Sequence, residues 1–372
     1  MTTVDHLLPC PEPVQFLDAD GRLIERAPGP DAAARGYTMP EPEDLLAVWS
    51  DMLLGRRFDG QATALTKQGR LAVYPSSRGQ DACQVAPLHT LDEHDWLFPT
   101  YRDSMALVTR GIDPVQALTL LRGDWHCGYD PVATRTAPQC TPLATQCVHA
   151  AGAAYGMRRR GTGGVALCFL GDGATSEGDF HEALNFAAVF EAPVVFFVQN
   201  NGFAISVPLA QQTKAPALAY KGVGYGVRSE QVDGNDAAAV LAVTRAAVEH
   251  ARAGRGPVLI EAHTYRLEAH TNADDATRYR NADDVEAWTA RDPIARLQSY
   301  LVEGGHLDSG RIEAVTALAE QQAADLRRRM SEEPPVDPGE LFEHVYAEPT
   351  PQLREQAALV AAERSGAMEA SG

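Results

Sequence analysis

Two glycine-containing turns carry the densest chemistry in this 372-residue chain. The first reads GDGATSEGD over residues 171–179, and the second reads QNNGFAIS over residues 199–206. Asp172 offers a carboxylate and Asn201 an amide oxygen, and Gly202 permits a turn that aims the carbonyl of Phe203 the same way. Three oxygen ligands of low total charge suit a magnesium ion, which completes its octahedron with water and the oxygens of a bound diphosphate. The glycines let backbone approach phosphates, and the helix start after Gly173 presents unpaired N–H groups to an anion. Either turn alone is ordinary punctuation. The pair, with the 26 residues 174–199 between Gly173 and Asn200, is a much narrower pattern.

The elements that must position these turns are readable around them. Val165–Leu170 is a continuous apolar run that ends at the first turn, as expected for a strand buried on both faces. A helix-compatible stretch, Gly178–Phe190, leads to a second apolar run, Val194–Val198, which ends at the second turn. Strand, helix and strand make a βαβ unit with a right-handed crossover. The alternation continues through a strand at Ser229–Val232, a long helix capped by Asn235 and ending near Gly254, and a strand at Pro257–Ala262. That last strand runs into a polar segment, Thr264–Arg280. Upstream, Leu45, Leu46, Trp49, Met52 and Leu53 form one helical face, and a second helical segment covers Gln80–Leu91. Downstream, Ile312, Val315, Leu318 and Leu326 form an apolar stripe. The pattern predicts an α/β fold with a parallel sheet, helices on both faces, and helical N- and C-terminal extensions. Ligands bind such sheets at the carboxyl ends of the strands. Residues 1–40 are expected as a partly flexible arm, 41–350 as a single α/β domain and 351–372 as a tail.

Bulk properties exclude several function classes. The chain has 32 basic and 50 acidic side chains and a formal charge of −18. Nucleic acid and anionic membrane surfaces repel such a protein, although a local basic pocket for a phosphate fits within it. The first residues lack the basic and apolar regions of a signal peptide, and the longest apolar runs are too short to span a bilayer. The six cysteines form no CxxC pair, and His126–Cys127 has no second pair of soft ligands at zinc spacing. Reduced thiols in a cytoplasmic protein are expected.

The GDG and NN turns at this separation resemble the thiamine-diphosphate fingerprint. The likeness widens with FPTYRD (98–103), PLATQCVHAAGAAYG (142–156), the GDGATSEGDFHEALNFAA run, NNGFAIS and TYRLEAHTNADDATRYR (264–280). In this order they resemble the alpha subunits of heterotetrameric 2-oxo acid dehydrogenases, across most of residues 40–350. The resemblance implies a thiamine-diphosphate-binding fold in which Asp172, Asn201 and the Phe203 carbonyl hold magnesium. It places Tyr101 and Arg102 on the cofactor diphosphate, where a guanidinium matches phosphate oxygens in pairs. Gly173, Ala174 and Gln199 would line the same pocket, and Thr141 would approach the aminopyrimidine. Cys140, Pro142, Thr145 and Gln146 fall where some relatives bind a structural potassium. His270 would stand beside the thiazolium, binding cofactor and helping decarboxylation or acyl handover. Three positions depart from the usual pattern: Cys140 stands for a serine, Gln199 for an arginine and Phe203 for a tyrosine. Thr271 occupies the place of a regulatory phosphoserine.

The implied reaction is oxidative decarboxylation of a 2-oxo acid, with acyl transfer to a lipoyl group on an acyltransferase component. No glutamate of this chain is assignable to the cofactor's pyrimidine. The family places that carboxylate on a beta subunit, so two alpha and two beta chains are expected to build the active site together. The HTNADD sequence (270–275) looks closer to branched-chain enzymes than to pyruvate enzymes. This favours 3-methyl-2-oxobutanoate and a place in branched-chain amino acid catabolism, ahead of pyruvate and then of acetoin. A non-catalytic scaffold paralogue is the alternative of a different class. The joint presence of Asp172, Asn201, Arg102 and His270 weighs against it.

Overall fold

A computed structural model describes residues 5–24, 35–124, 126–332 and 337–370. Of the expected N-terminal arm, residues 1–4 and 25–34 lie outside the described residues. The chain divides into two compact units, Met1–Arg327 and Arg328–Gly372. The second contains the helix Pro351–Ala370.

The first unit is built on a parallel sheet. Its strands are β1 (Trp96–Phe98), β2 (Ala166–Gly171), β3 (Val194–Asn200), β6 (Arg228–Asp233) and β7 (Val258–His263), in the order β1-β2-β3-β7-β6. A separate antiparallel hairpin joins β4 (Phe203–Ala204) to β5 (Val207–Pro208). All seven residues of β3 are buried, which explains why its sequence is a continuous apolar run rather than an alternating one. Its side chains still alternate between two cores. Val195 and Phe197 join Leu167, Phe169, Val258 and Ile260 on one face, against helices Pro42–Lys67, Ala237–Arg252 and Pro293–Glu303. Val194, Phe196 and Val198 join Ala166, Cys168 and Leu170 on the other, against helices Thr145–Arg160 and Gly178–Val189. Each large apolar side chain so buried contributes roughly 1.5–3 kcal/mol. The α/β architecture with helices on both faces is as the sequence predicts.

Two local expectations are corrected. The helix Ala237–Arg252 is capped by Asp236, not Asn235: the Asp236 carboxylate accepts from the N–H groups of Ala238 and Ala239 at 3.1 Å. Its other oxygen accepts from Phe16 and Leu17, so one carboxylate both starts a helix and docks the N-terminal segment. Asn235 is occupied elsewhere, donating to the Arg291 carbonyl at 2.9 Å. In helix Ser309–Ser331, Leu318 is exposed, and the inward stripe runs Ile312, Val315, Ala319, Ala323 and Leu326. The spacing 3-4-4-3 keeps those positions on one side, and residue 318 falls one position off it.

The segment before residue 24 has no periodic pattern, yet Val14, Phe16 and Leu17 are buried, and Val14 bridges Val232 on the outer edge of β6. Among the described residues no helix is long and apolar enough to cross a membrane. All six cysteines are free.

Candidate functional site

The two chemistry-bearing turns leave the sheet side by side because β2 and β3 pair in register, with Gly171 opposite Gln199. They open onto a cavity of about 430 Å³. Asp172, Gly173, Ala174, Gln199, Asn201 and Phe203 line it from the turns. Tyr101, Arg102, Cys140, Thr141, Gln146 and His270 line it from elsewhere in the chain. Of the candidates read from sequence, Pro142 and Thr145 do not border it.

At one end, by the first turn, the cavity is bordered by a buried carboxylate. The side chain of Asp172 is 1% exposed, and its carboxylate accepts from Gln212 Nε2 at 2.7 Å. Burial pushes its pKa above the usual carboxylate range, against the pull of the Gln212 amide and backbone N–H groups. A nearby divalent ion would reverse that balance. The Asn201 amide is oriented by Gln80, whose Oε1 accepts from Nδ2 at 3.0 Å, while Asn201 Oδ1 accepts from the Phe203 N–H at 3.2 Å. Gly202 has a φ of 82°, in the left-handed region the turn needs. Gly173 is required by close approach: a Cβ there would sit 2.7 Å from the Cβ of Ala204.

The other end gathers positive charge. Arg102 is buried rather than at the surface; it donates through NH1 to the Ser76 carbonyl at 2.9 Å and through NH2 to His270 Nδ1 and O, each at 3.0 Å. Arg266 NH1 lies 3.4 Å from the same His270 Nδ1, and its buried Nε has no hydrogen-bond partner among the described residues. Burial and then the facing Arg102 hold the Arg266 pKa below the guanidinium norm. Burial, Arg102 and Arg266 together lower the His270 pKa to about 4. A guanidinium can only donate, so Nδ1 of the neutral ring is the acceptor and the ring proton sits on Nε2. Tyr101 stands edge-on to His270 with ring centroids 6.0 Å apart.

Between the two ends, Gln199 accepts from Gln80 Nε2 and donates to Asp103 Oδ1, both at 2.7 Å. Asp103 also accepts from the Thr100 N–H and hydroxyl at 2.7 Å, and burial raises its pKa. A neutral amide at 199 therefore satisfies both neighbours. Near the mouth, the Cys140 thiol donates to the Pro142 carbonyl at 3.3 Å, and burial raises its pKa. Gln146 donates to the Phe169 carbonyl at 2.8 Å and leaves a buried Oε1 without a partner among the described residues.

Arg266, Asp103, Gln80 and Gln212 were not singled out from the sequence. Arg266 and Asp103 lie inside the distinctive TYRLEAH and FPTYRD segments, where a buried charge could have been sought. Gln80 and Gln212 carry no local signal, since only the fold brings them to the turns.

The residues present fit a magnesium diphosphate group. A buried carboxylate held by a neutral donor lies at one end, two converging guanidinium groups with an orphaned N–H at the other, and glycines where backbone approaches closely. A family model described as "Dehydrogenase E1 component" matches residues 50–338. The chain is 45% identical over 346 residues to the 3-methyl-2-oxobutanoate dehydrogenase subunit alpha of Mycobacterium tuberculosis, covering 93% of this chain and 92% of that one. It is 37% identical over 295 residues to the pyruvate dehydrogenase E1 component subunit alpha of Staphylococcus aureus, covering 79% and 78%. The corresponding Staphylococcus epidermidis subunit is 38% identical over the same length.

Proposed function

The chain belongs to the dehydrogenase E1 component family, and from that premise we propose that it is the alpha subunit of a thiamine-diphosphate- and magnesium-dependent 2-oxo acid dehydrogenase acting on 3-methyl-2-oxobutanoate. The observation that carries the reading is the convergence, in one cavity, of a buried carboxylate turn and a paired-guanidinium cluster. The substrate follows the 45% identity over nearly the whole chain to a relative named for that acid.

Asp172, Asn201 and the Phe203 carbonyl would hold magnesium. Tyr101 and Arg102, joined by Arg266, would hold the diphosphate, with Gly173 and Ala174 giving it backbone room and Gln199 a neutral wall. Thr141 would meet the aminopyrimidine end. A potassium ion would sit on Cys140, Pro142, Thr145 and Gln146, a reading supported by the unpartnered Gln146 Oε1. When bound, thiamine diphosphate supplies the electron sink for loss of carbon dioxide from a 2-oxo acid. In the chain alone, burial and then the two arginines keep the His270 ring neutral with its proton on Nε2, from which it would donate to a substrate oxygen. A beta subunit would complete the site in an assembly of two alpha and two beta chains, and a lipoyl-bearing acyltransferase would take the acyl group.

The test is kcat/KM for 3-methyl-2-oxobutanoate and for pyruvate in the complex reconstituted with its beta chain and acyltransferase. A preference of about tenfold or more for the branched acid is expected, the discrimination that extra methyl groups in an apolar pocket provide. A pyruvate preference would reassign the substrate and leave the family unchanged.

A further inference from the structure

Outside the cavity lining, two charged side chains link the two turns. Glu261 lies on β7, opposite Val198 of β3, and is fully buried. One of its oxygens accepts from Asn200 Nδ2 at 2.7 Å, and the Asn200 Oδ1 in turn accepts from the N–H of Gly202 at 3.0 Å. Its other oxygen accepts from the backbone N–H of Ala219 at 2.8 Å. Two residues further on, Lys221 Nζ donates to both the carbonyl and the hydroxyl of Thr175, each at 2.8 Å. The Thr175 hydroxyl closes the path by donating to the Asp172 carbonyl at 2.7 Å.

The segment between these contacts is itself pinned. In the short helix Tyr220–Val223, a Cβ added to Gly222 would lie 2.4 Å from Ser229 Oγ on β6 and 3.0 Å from a methyl of Leu259 on β7. Residues 219–221 are thus pressed onto the sheet from which both turns emerge. The ammonium of Lys221 also feels two carboxylates, Glu261 and Asp172, which oppose the lowering of its pKa by burial.

We infer that Glu261 and Lys221 are positioning residues that lock the turn at 172–175 to the turn at 200–202 through the Ala219–Lys221 backbone, and so set the gap in which the divalent cation is held. Neither touches cofactor or substrate. The inference rests on the proposed magnesium site and gives that site a scaffold outside the cavity lining. Carboxylates and hydroxyls one step removed from a metal tune it strongly, and losing one typically weakens metal affinity about 10–100-fold.

The experiment uses the chain co-produced with its beta partner and follows thiamine diphosphate binding by calorimetry as magnesium chloride is varied. The wild type, Lys221→Met, Lys221→Arg, Glu261→Gln and the Lys221→Met/Glu261→Gln double variant are compared, with melting temperatures recorded in the absence of both ligands. We expect Lys221→Met and Glu261→Gln each to raise the half-saturating magnesium concentration by about 10–100-fold. Lys221→Arg should restore it, and the double variant should be no worse than the weaker single one, because both act on one strut. A Lys221→Met protein that melts like the wild type and binds at wild-type magnesium overturns the inference. So does one whose binding falls only in step with its melting temperature and is not restored by arginine. If Glu261→Gln does not fold, the Lys221 pair decides alone. A wild type that shows no magnesium-dependent binding would instead overturn the proposed cofactor site.

Discussion

At His270 burial and then two facing arginines act together on one ring. Its pKa, lowered to about 4 from the ordinary 6.5, means that between those values the unfolded chain binds a proton that the folded chain refuses. The contribution to stability is complete above pH 6.5 and is lost progressively as pH falls toward 4. Replacing His270 with glutamine should therefore make the denaturant midpoint less acid-sensitive across that window than in the wild type. Parallel pH profiles for the two proteins would show that the ring is not held neutral by its neighbours. Much of the residue chemistry was legible beforehand, because Asp172, Asn201, Arg102 and His270 sit in segments of distinctive type and order. Arg266 was not, because nothing in TYRLEAH says which of its side chains turns inward. The orientation of Asn201 was likewise hidden, since Gln80 lies 121 residues away in sequence.

Among the elements, the start of the first turn lies in close contact with the β4–β5 hairpin. Gly173→Ala would bring its new methyl against Ala204, whose short side chain cannot move aside. A destabilisation of about 1–3 kcal/mol is expected from such overpacking, read as a shift in denaturant midpoint. Combining it with Ala204→Gly should recover part of the loss, and no recovery would place the strain elsewhere. Strands β2 and β3 could be read from sequence because they are continuous apolar runs bounded by turns. Strand β1 could not, with three residues and no run around it. The helix Thr145–Arg160 was equally hard to read: it contains Gly152 and Gly156, and it begins after Ala144 at a φ of 62°, where no ordinary capping residue stands. The docking of Val14 on β6 had no sequence signal, since a single bridge has no period.

At the scale of the whole molecule, the acidic total of −18 conceals a pocket with two buried arginines. A net charge describes the surface at large, so composition alone could not locate a buried basic pocket. The carboxylates lining the cavity, Asp103 and Asp172, are both engaged, by Thr100 and Gln199 and by Gln212 respectively. With both so engaged, the proposed two-chain site would take the acid group for the cofactor's pyrimidine from the beta chain. The purified chain alone should therefore show no 2-oxo acid decarboxylation, and adding the beta chain should restore it; full turnover by the single polypeptide would contradict a shared site. Gly171 pairs with Gln199 near the ends of both strands. Adjacent strands stand roughly 4.8 Å apart, so the distance between the two turns where they leave the sheet is written in main-chain atoms. Exchanging a side chain at position 199 alters what the pocket offers a ligand without altering that gauge. What the pocket offers a ligand can thus vary through position 199 while the spacing at which the two turns leave the sheet stays the same.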